Sequence, residues 1–424
     1  MDPQASDLLE SIRQQFDTLP YPHFPLDATP KNLPDQLYLH SLITPFYLRD
    51  RRIMNTAGKV ILDAGCGSGY KSLGLAIANP GAKIVGVDLS EESIKFARQR
   101  LQYHGFEQAE FYPLLLEDLP SLGLQFDYIN CDEVLYLLPD PIAGLRAMQA
   151  VLKPDGILRV NFHSLFQRSI YLRGQEFFAR LAGNVTLSQA ERVVKVRQIM
   201  RSLREDVFLK YATWKPIYEA DDARVLTNYL LQGDKGWTIP QFFEALKAAD
   251  LEFIHTLDWR QWDLTQLFAH LDDLPAEIAT NLAETSFVDR LHLYELIHPV
   301  HRLLDLWCGH PQTTAPAPHP STWSNADWQQ AIVHFHPQLV TPAFQDALFA
   351  AAMQLTRFDF NTHLRLSETP VTIEGSIAAW LLPLSQSPQP LPALLYHWLQ
   401  LRPLDPVTLE PTSQQIAFST IQAW

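Results

Sequence analysis

Three groups of residues in this 424-residue chain have the types and spacing to do chemistry. The first is Asp63-Ala-Gly-Cys-Gly-Ser-Gly69, which follows an apolar run at once. Glycines at 65, 67 and 69, between a strand and a helix, let the backbone take positive φ and approach a bound group closely. The second group is a series of acids, each closing or following an apolar run. Asp63 ends 59–63, Asp88 ends 83–88, Glu117-Asp118-Leu119 follows 109–113, and Asp132-Glu133 follows 125–131. Asp88 stands nineteen residues after Gly69, where a carboxylate can accept both hydroxyls of a ribose. A carboxylate at 117–118 could meet an adenine amino group. The third group is His163-Ser164 behind the run 157–162, where a histidine is a plausible general base or a hydrogen-bonded turn residue. Asp132 and Glu133 could favour a cationic amine or cap the next helix, and Tyr136 reads as packing.

These residues need a frame. Short apolar runs alternate with helical stretches of about a dozen residues from 59 to 162, which implies crossover connections and a parallel sheet. Ser90 is a helix cap, and the run 249–254 reads as a sixth strand. The expected fold is α/β: a Rossmann-like, doubly wound, mainly parallel sheet with a helical lid insertion and a mostly helical C-terminal region. We expect an N-terminal helical segment (1–55), a nucleotide-binding core (56–163), an insertion (164–236), the end of the core (237–260) and a C-terminal region (261–424). Helices are expected at 35–55, 165–181, 262–271, 288–306, 325–334 and 342–354, with strands near 358–360 and 371–373.

The spacing separates cofactors. A dinucleotide fingerprint needs a small residue three positions after the second glycine, and Tyr70 stands there. The pattern Asp-x-Gly-x-Gly-x-Gly instead resembles motif I of the class I S-adenosylmethionine-dependent methyltransferases. The likeness covers roughly 55–163 and includes Gly86-Val-Asp-Leu-Ser90, Glu117-Asp-Leu-Pro120, the segment 126–136, Leu138-Pro-Asp-Pro141 and Leu152-Lys-Pro-Asp-Gly-Ile157. The resemblance implies S-adenosyl-L-methionine as cofactor. It places Asp63, Ala64, Gly65, Cys66, Gly67 and Gly69 at the methionine part, Asp88 at the ribose, Leu89 on the adenine, and Glu117, Asp118 and Leu119 at the adenine edge. Asp132 and Glu133 would face the methyl group and the acceptor; His163, placed by its position after the fifth strand, would lie toward the same edge. The sequence lacks the Asn-Pro-Pro-Tyr of many planar-amine enzymes and the histidine that many small-molecule relatives carry after the fourth strand. The acceptor is thus left open: a small molecule, slightly favoured, or a protein lysine side chain. A non-catalytic cofactor-binding protein is the third reading. The layout of the C-terminal part resembles bacterial methyltransferases with an added docking or regulatory domain.

The totals narrow the partners. A net charge of −14 argues against nucleic acid, and no run of about 18 apolar residues suggests a membrane span. Three cysteines make no disulfide framework, so a cytoplasmic setting is expected. His292, His298, His301, Cys308 and His310 lack the paired spacing of a zinc site, and no metal is expected. Residues 168–215 carry ten basic and four acidic side chains. They would form a lid over the site or a homodimer arm, with Val193, Val196, Met200 and Leu203 as a helix–helix seam. Eleven of seventeen glycines precede 164 and all ten tryptophans follow 213, so the halves are built differently. Titration calorimetry is expected to show S-adenosylmethionine binding that Asp88→Ala abolishes; unchanged binding would refute the ribose assignment.

Overall fold

The apolar runs of the first half line up as one sheet in a computed structural model that describes residues 3–18, 20–182, 187–312, 317–365, 370–405 and 408–422. Its strands are β1 (Val60–Ala64), β2 (Lys83–Asp88), β3 (Glu110–Pro113), β4 (Phe126–Cys131), β5 (Leu152–Ser164), β6 (Gly236–Trp237), β7 (Glu252–Thr256) and β8 (Leu303–Gly309). The order is β3-β2-β1-β4-β5-β8-β7, with β6 paired to the end of β5. Strands β1 to β5 are parallel, and β8 runs antiparallel to both β5 and β7. All six residues of β4 are buried, as a strand covered on both faces requires. The order reverses between β1 and β4, so the carboxyl ends of these strands open a crevice there.

Local chemistry explains the helix starts. Gly69, at φ 77°, turns the chain into the helix Tyr70–Ala78. The Ser90 side chain accepts from the Ser93 N–H and caps Glu91–Tyr103. Thr238 and Gln241 form a capping box on Ile239–Ala248.

The chain divides into two compact units, Met1–Thr29 with Asn55–Thr314, and Pro30–Met54 with Ala315–Trp424. This moves two expected boundaries. The sheet does not end at 260, because β8 lies between β5 and β7. The helix expected over 288–306 is Phe287–Ile297; His298-Pro299 stops it, and the chain restarts as a strand. Residues 30–54 are likewise not part of an N-terminal segment. They form two helices, Pro34–Leu39 and Ile43–Asp50, that fold with the C-terminal unit. In that unit Thr44 Oγ1 lies 3.1 Å from His336 Nε2, and Asp35 accepts from the Arg365 N–H. Its core gathers Phe344, Leu348, Trp380 and Trp398 from the helices Pro342–Gln354, Gly375–Leu381 and Leu391–Leu401. The helix expected over 325–334 is only Asn325–Gln330, followed by a two-residue strand. The one expected over 262–271 is a series of 3-10 turns, where the Asp263 side chain caps the Thr265 N–H.

The insertion has its own small core. Val193, Val196 and Met200 of Gln189–Ser202 pack on Phe178 and Tyr229. The apolar seam is therefore used within the chain. Its basic side chains mostly meet local acids, as in Arg197–Asp222, Arg201–Glu219 and Lys210–Glu205. Among the described residues, no helix is long and apolar enough to cross a membrane.

One buried cation ties a strap, residues 20–28, to the glycine-rich turn. Arg100 is fully buried and donates to the carbonyls of Ser68 (3.0 Å), Pro25 (2.7 Å) and Phe24 (2.8 Å). Tyr70, the residue that departs from the dinucleotide pattern, packs against Phe24 of the strap at 4.4 Å. Arg100→Met would remove the donor to the buried Ser68 carbonyl and those to Phe24 and Pro25 at the surface, where Pro25 keeps its bond from the Ala28 N–H. It is expected to destabilise the protein by about 2 kcal/mol. Urea unfolding reads the loss, and limited proteolysis should find new cleavage within 20–28.

Candidate active site

The crevice at the carboxyl ends of β1, β2 and β4 holds a cavity. Gly65, Cys66 and Gly67 form its floor, and Asp88, Leu89 and Ser90 at the end of β2 form one wall. Leu114, Leu115, Leu116 and Glu117 follow from β3, and Asp132 and Glu133 from β4. The N-terminal helix Pro3–Thr18 closes it with Leu9, Ile12, Arg13 and Phe16. That helix is fastened where Ser90 donates to Asp17 at 2.6 Å.

Two of the glycines are required by space as well as by angle. A Cβ on Gly67 would stand 2.0 Å from the Tyr21 carbonyl oxygen, and one on Gly65 would stand 2.3 Å from Val134. Both residues have positive φ. The floor is thus bare backbone. Asp88 accepts from the Gly67 N–H and the Ser90 N–H, both at 2.9 Å, which leaves lone pairs for a ligand's hydroxyls. Burial pushes its pKa up to about 6 against the pull of those two bonds. Glu117 Oε2 is buried with no hydrogen-bond partner among the described residues. A cradle of bare backbone, a carboxylate with free lone pairs and an unpartnered buried acceptor together fit a nucleoside with an amino-acid tail.

The acids after β4 belong to an ionic network. Lys71 Nζ lies 2.8 Å from Asp132 and 3.3 Å from Glu133. Arg159 on β5 lies 3.5 Å from Asp132 and 2.5 Å from Asp305 on β8. Arg302 pairs with Glu133. Asn161 donates to Asp132 at 2.6 Å and accepts from the Glu133 N–H at 2.8 Å. Glu133 has φ 66°, a conformation that these contacts hold in place. Burial alone would raise the Glu133 carboxyl, but Lys71 and Arg302 outweigh it and hold the group below its ordinary value. Neither acid caps a helix, and neither offers an uncompensated charge to a cation.

A second cavity of about 900 Å³ adjoins the first and is bordered by Tyr136, His163, Arg168, Asn228 and Arg302. His163 stacks on Tyr136 with 3.7 Å between ring centroids. Its Nδ1 lies 2.6 Å from Asp234, and its Nε2 lies 2.9 Å from Arg302 Nη1. Arginine can only donate, so the ring carries its proton on Nδ1 and accepts at Nε2. Burial pushes His163 below its ordinary pKa, against the opposing effect of Asp234. Burial would raise Asp234, but His163 and Arg168 hold it well below the usual carboxylate range. Arg168 is the only side chain of 168–182 and 187–215 that borders this cavity.

Of the residues singled out in the sequence, Gly65, Cys66, Gly67, Asp88, Leu89, Glu117, Asp132 and Glu133 border the first cavity, and Glu133 and His163 border the second. Asp63 does not. It is buried beneath the floor, accepting from Ser72 (2.6 Å) and Asn130 (2.9 Å), where it fixes the turn from within. Ala64 and Leu119 are core residues, Gly69 packs on Ala97, and Asp118 lies outside both walls. Sequence reasoning missed Tyr21, Lys71, Asp234 and Arg302. The last two lie 71 and 139 residues from His163, so no local spacing could reveal them.

A methyltransferase-domain family profile matches residues 55–213. An uncharacterised protein of Synechococcus sp. is 26% identical over 332 residues, 77% of this chain and 76% of its own length. The ubiquinone biosynthesis O-methyltransferase of Bordetella bronchiseptica is 31% identical over 194 residues, 42% of this chain and 76% of that enzyme. Among solved structures, PKMT2 from Rickettsia typhi in complex with AdoHcy has the same fold, with a TM-score of 0.57 at 16% identity over 94% of this chain and 74% of that one.

The Asp88 carboxyl sets a pH dependence. Ribose hydroxyls donate to its ionised form, and below about pH 6 the free site is protonated. Affinity for S-adenosylhomocysteine is expected to be flat above about pH 7 and to fall by up to roughly tenfold per unit below pH 6. Calorimetry at pH 5–8 checks this, and a flat profile throughout would refute it.

Proposed function

Since the chain belongs to the class I S-adenosylmethionine-dependent methyltransferases, we propose that its acceptor is a small molecule bound in the second cavity and methylated on a hydroxyl oxygen. The observation that carries this reading is the Asp234–His163 pair with its accepting Nε2 turned toward Arg302.

When bound, S-adenosylmethionine supplies an electrophilic methyl group on sulfur. Gly65, Gly67, Asp88, Leu89 and Glu117 would hold it, with the N-terminal helix excluding water. The chain's task is then alignment and proton removal. A hydroxyl is a poor nucleophile while protonated. In the structure the Nε2 lone pair accepts from Arg302 Nη1, so Arg302 would have to turn from the ring to the incoming oxygen. His163 Nε2 would then take the hydroxyl proton as the oxygen–methyl bond forms, with Asp234 holding the ring in the accepting tautomer and stabilising the resulting cation. Arg302 would face the negative charge developing on the oxygen. A low histidine pKa keeps the base free at neutral pH. The balance of charge also supports a neutral acceptor. Lys71, Arg159 and Arg302 already compensate Asp132 and Glu133, and Asp221 and Asp222 on the rim of the second cavity pair with Arg224 and Arg197, so a lysine ammonium would find no unpaired anion among these.

The chain, incubated with methyl-labelled cofactor and fractionated extract, is expected to label low-mass compounds, as alkali-stable methyl ethers. Label in protein would overturn this reading in favour of a side-chain acceptor. His163→Gln is expected to lower kcat by about 10²–10⁴-fold. Its affinity for S-adenosylhomocysteine should be unchanged, because His163 does not border the first cavity. Wild-type kcat/KM should rise with pH through a value below about 6.5 and then level off.

A further inference from the structure

The two cavities share a short boundary. Phe16, Tyr21, Pro22, Glu133 and Leu137 border both, so whatever passes between cofactor and acceptor passes them. Three of the five are apolar. Glu133 is engaged with Lys71 and Arg302. Tyr21 is the remaining polar side chain. Its hydroxyl has no hydrogen-bond partner among the described residues, and the phenol lies in the field of Glu133, Lys71 and Arg302.

The fold fixes the place of residue 21 without using its side chain. The Ser68 N–H donates to the Tyr21 carbonyl at 2.9 Å, and the Ser68 hydroxyl donates to the Pro22 carbonyl at 2.6 Å. Arg100 holds the next two carbonyls but one, those of Phe24 and Pro25. Every one of these anchors is main chain on the strap's side. A phenol at a boundary, on a segment that does not need it for support, is available for a ligand.

We propose that the Tyr21 hydroxyl is the hydrogen-bonding group at the point of transfer, beside the reactive end of the cofactor, where it holds the incoming acceptor atom in line. The proposal rests on the second cavity as the acceptor's site and not on which acceptor enters it.

Two cofactor analogues test it without an acceptor. Sinefungin carries an amine in place of the transferred methyl, on a carbon that replaces the sulfur, and S-adenosylhomocysteine carries nothing in the methyl position. Calorimetry on the full chain is expected to show Tyr21→Phe weakening sinefungin about tenfold, the worth of one hydrogen bond to a charged group. S-adenosylhomocysteine should change by less than about twofold. Tyr21→Leu should repeat the selective loss, so the outcome does not hang on one variant. Ser68→Ala loosens the strap and should weaken both ligands alike. Parallel losses in the Tyr21 variants, unaltered sinefungin binding, or a selective loss in Ser68→Ala as well would each overturn the proposal. Failure of the hydroxyl reading appears elsewhere, as label in protein, and leaves the sinefungin ratio untouched.

Discussion

The structure around the crevice depends on keeping two adjacent carboxylates, Asp132 and Glu133, at the buried end of β4. An ionised carboxylate left unpaired in such a place costs several kcal/mol, so the fold must bring cations to it. It draws them from three directions. Lys71 comes from the helix behind the glycine turn, Arg159 from β5, and Arg302 from the loop before β8. Asp305 on β8 then balances Arg159. The network fixes more than charge. It holds Glu133 in a left-handed conformation and, through Arg159 on β5, binds the late strand β8 to the end of β4. It also leaves Arg302 between Glu133 and His163, so the ionic network and the His163–Asp234 pair are one connected system.

That connection separates what the sequence could reveal from what it could not. The positions of the glycine turn, Asp88 and Glu117 on the cavity wall were legible because they are set locally, although the sequence did not separate Glu117 from Asp118, which lies outside it. A strand, a tight turn and a helix cap follow one another within a few residues, and each step has a residue preference. Asp63 was legible as a position but not as a role. Only the packed sheet shows that Ser72 and Asn130 occupy its carboxylate. Asp234, Arg302 and Tyr21 carry no pattern of their own. They reach the site because the insertion, the loop before β8 and the N-terminal strap converge on it in space.

The misread elements have similar causes. The stretch 288–306 is apolar enough for a continuous helix, and only Pro299 marks the change of period. Residues 30–54 precede the core in sequence, which suggested a leading segment. Their partners, such as His336, lie some 300 residues further on, beyond any local rule. In both cases non-local packing decided the assignment that propensity left undetermined.

The position of β8 bears on synthesis. Strands β1 to β5 have left the ribosome some 140 residues before β8 does, and β7 some 50 before. Until residue 309 emerges, β5 presents an open hydrogen-bonding edge and β7 has no neighbour in the sheet. Open edges are templates for pairing between chains. The nascent protein therefore passes through a long interval in which its half-built sheet needs shielding, and a chain cut after β7 would keep that exposure permanently. The edge is closed by the same late strand that brings Asp305 to the network. Completion of the sheet and completion of the charge balance are thus a single event in the life of the polypeptide.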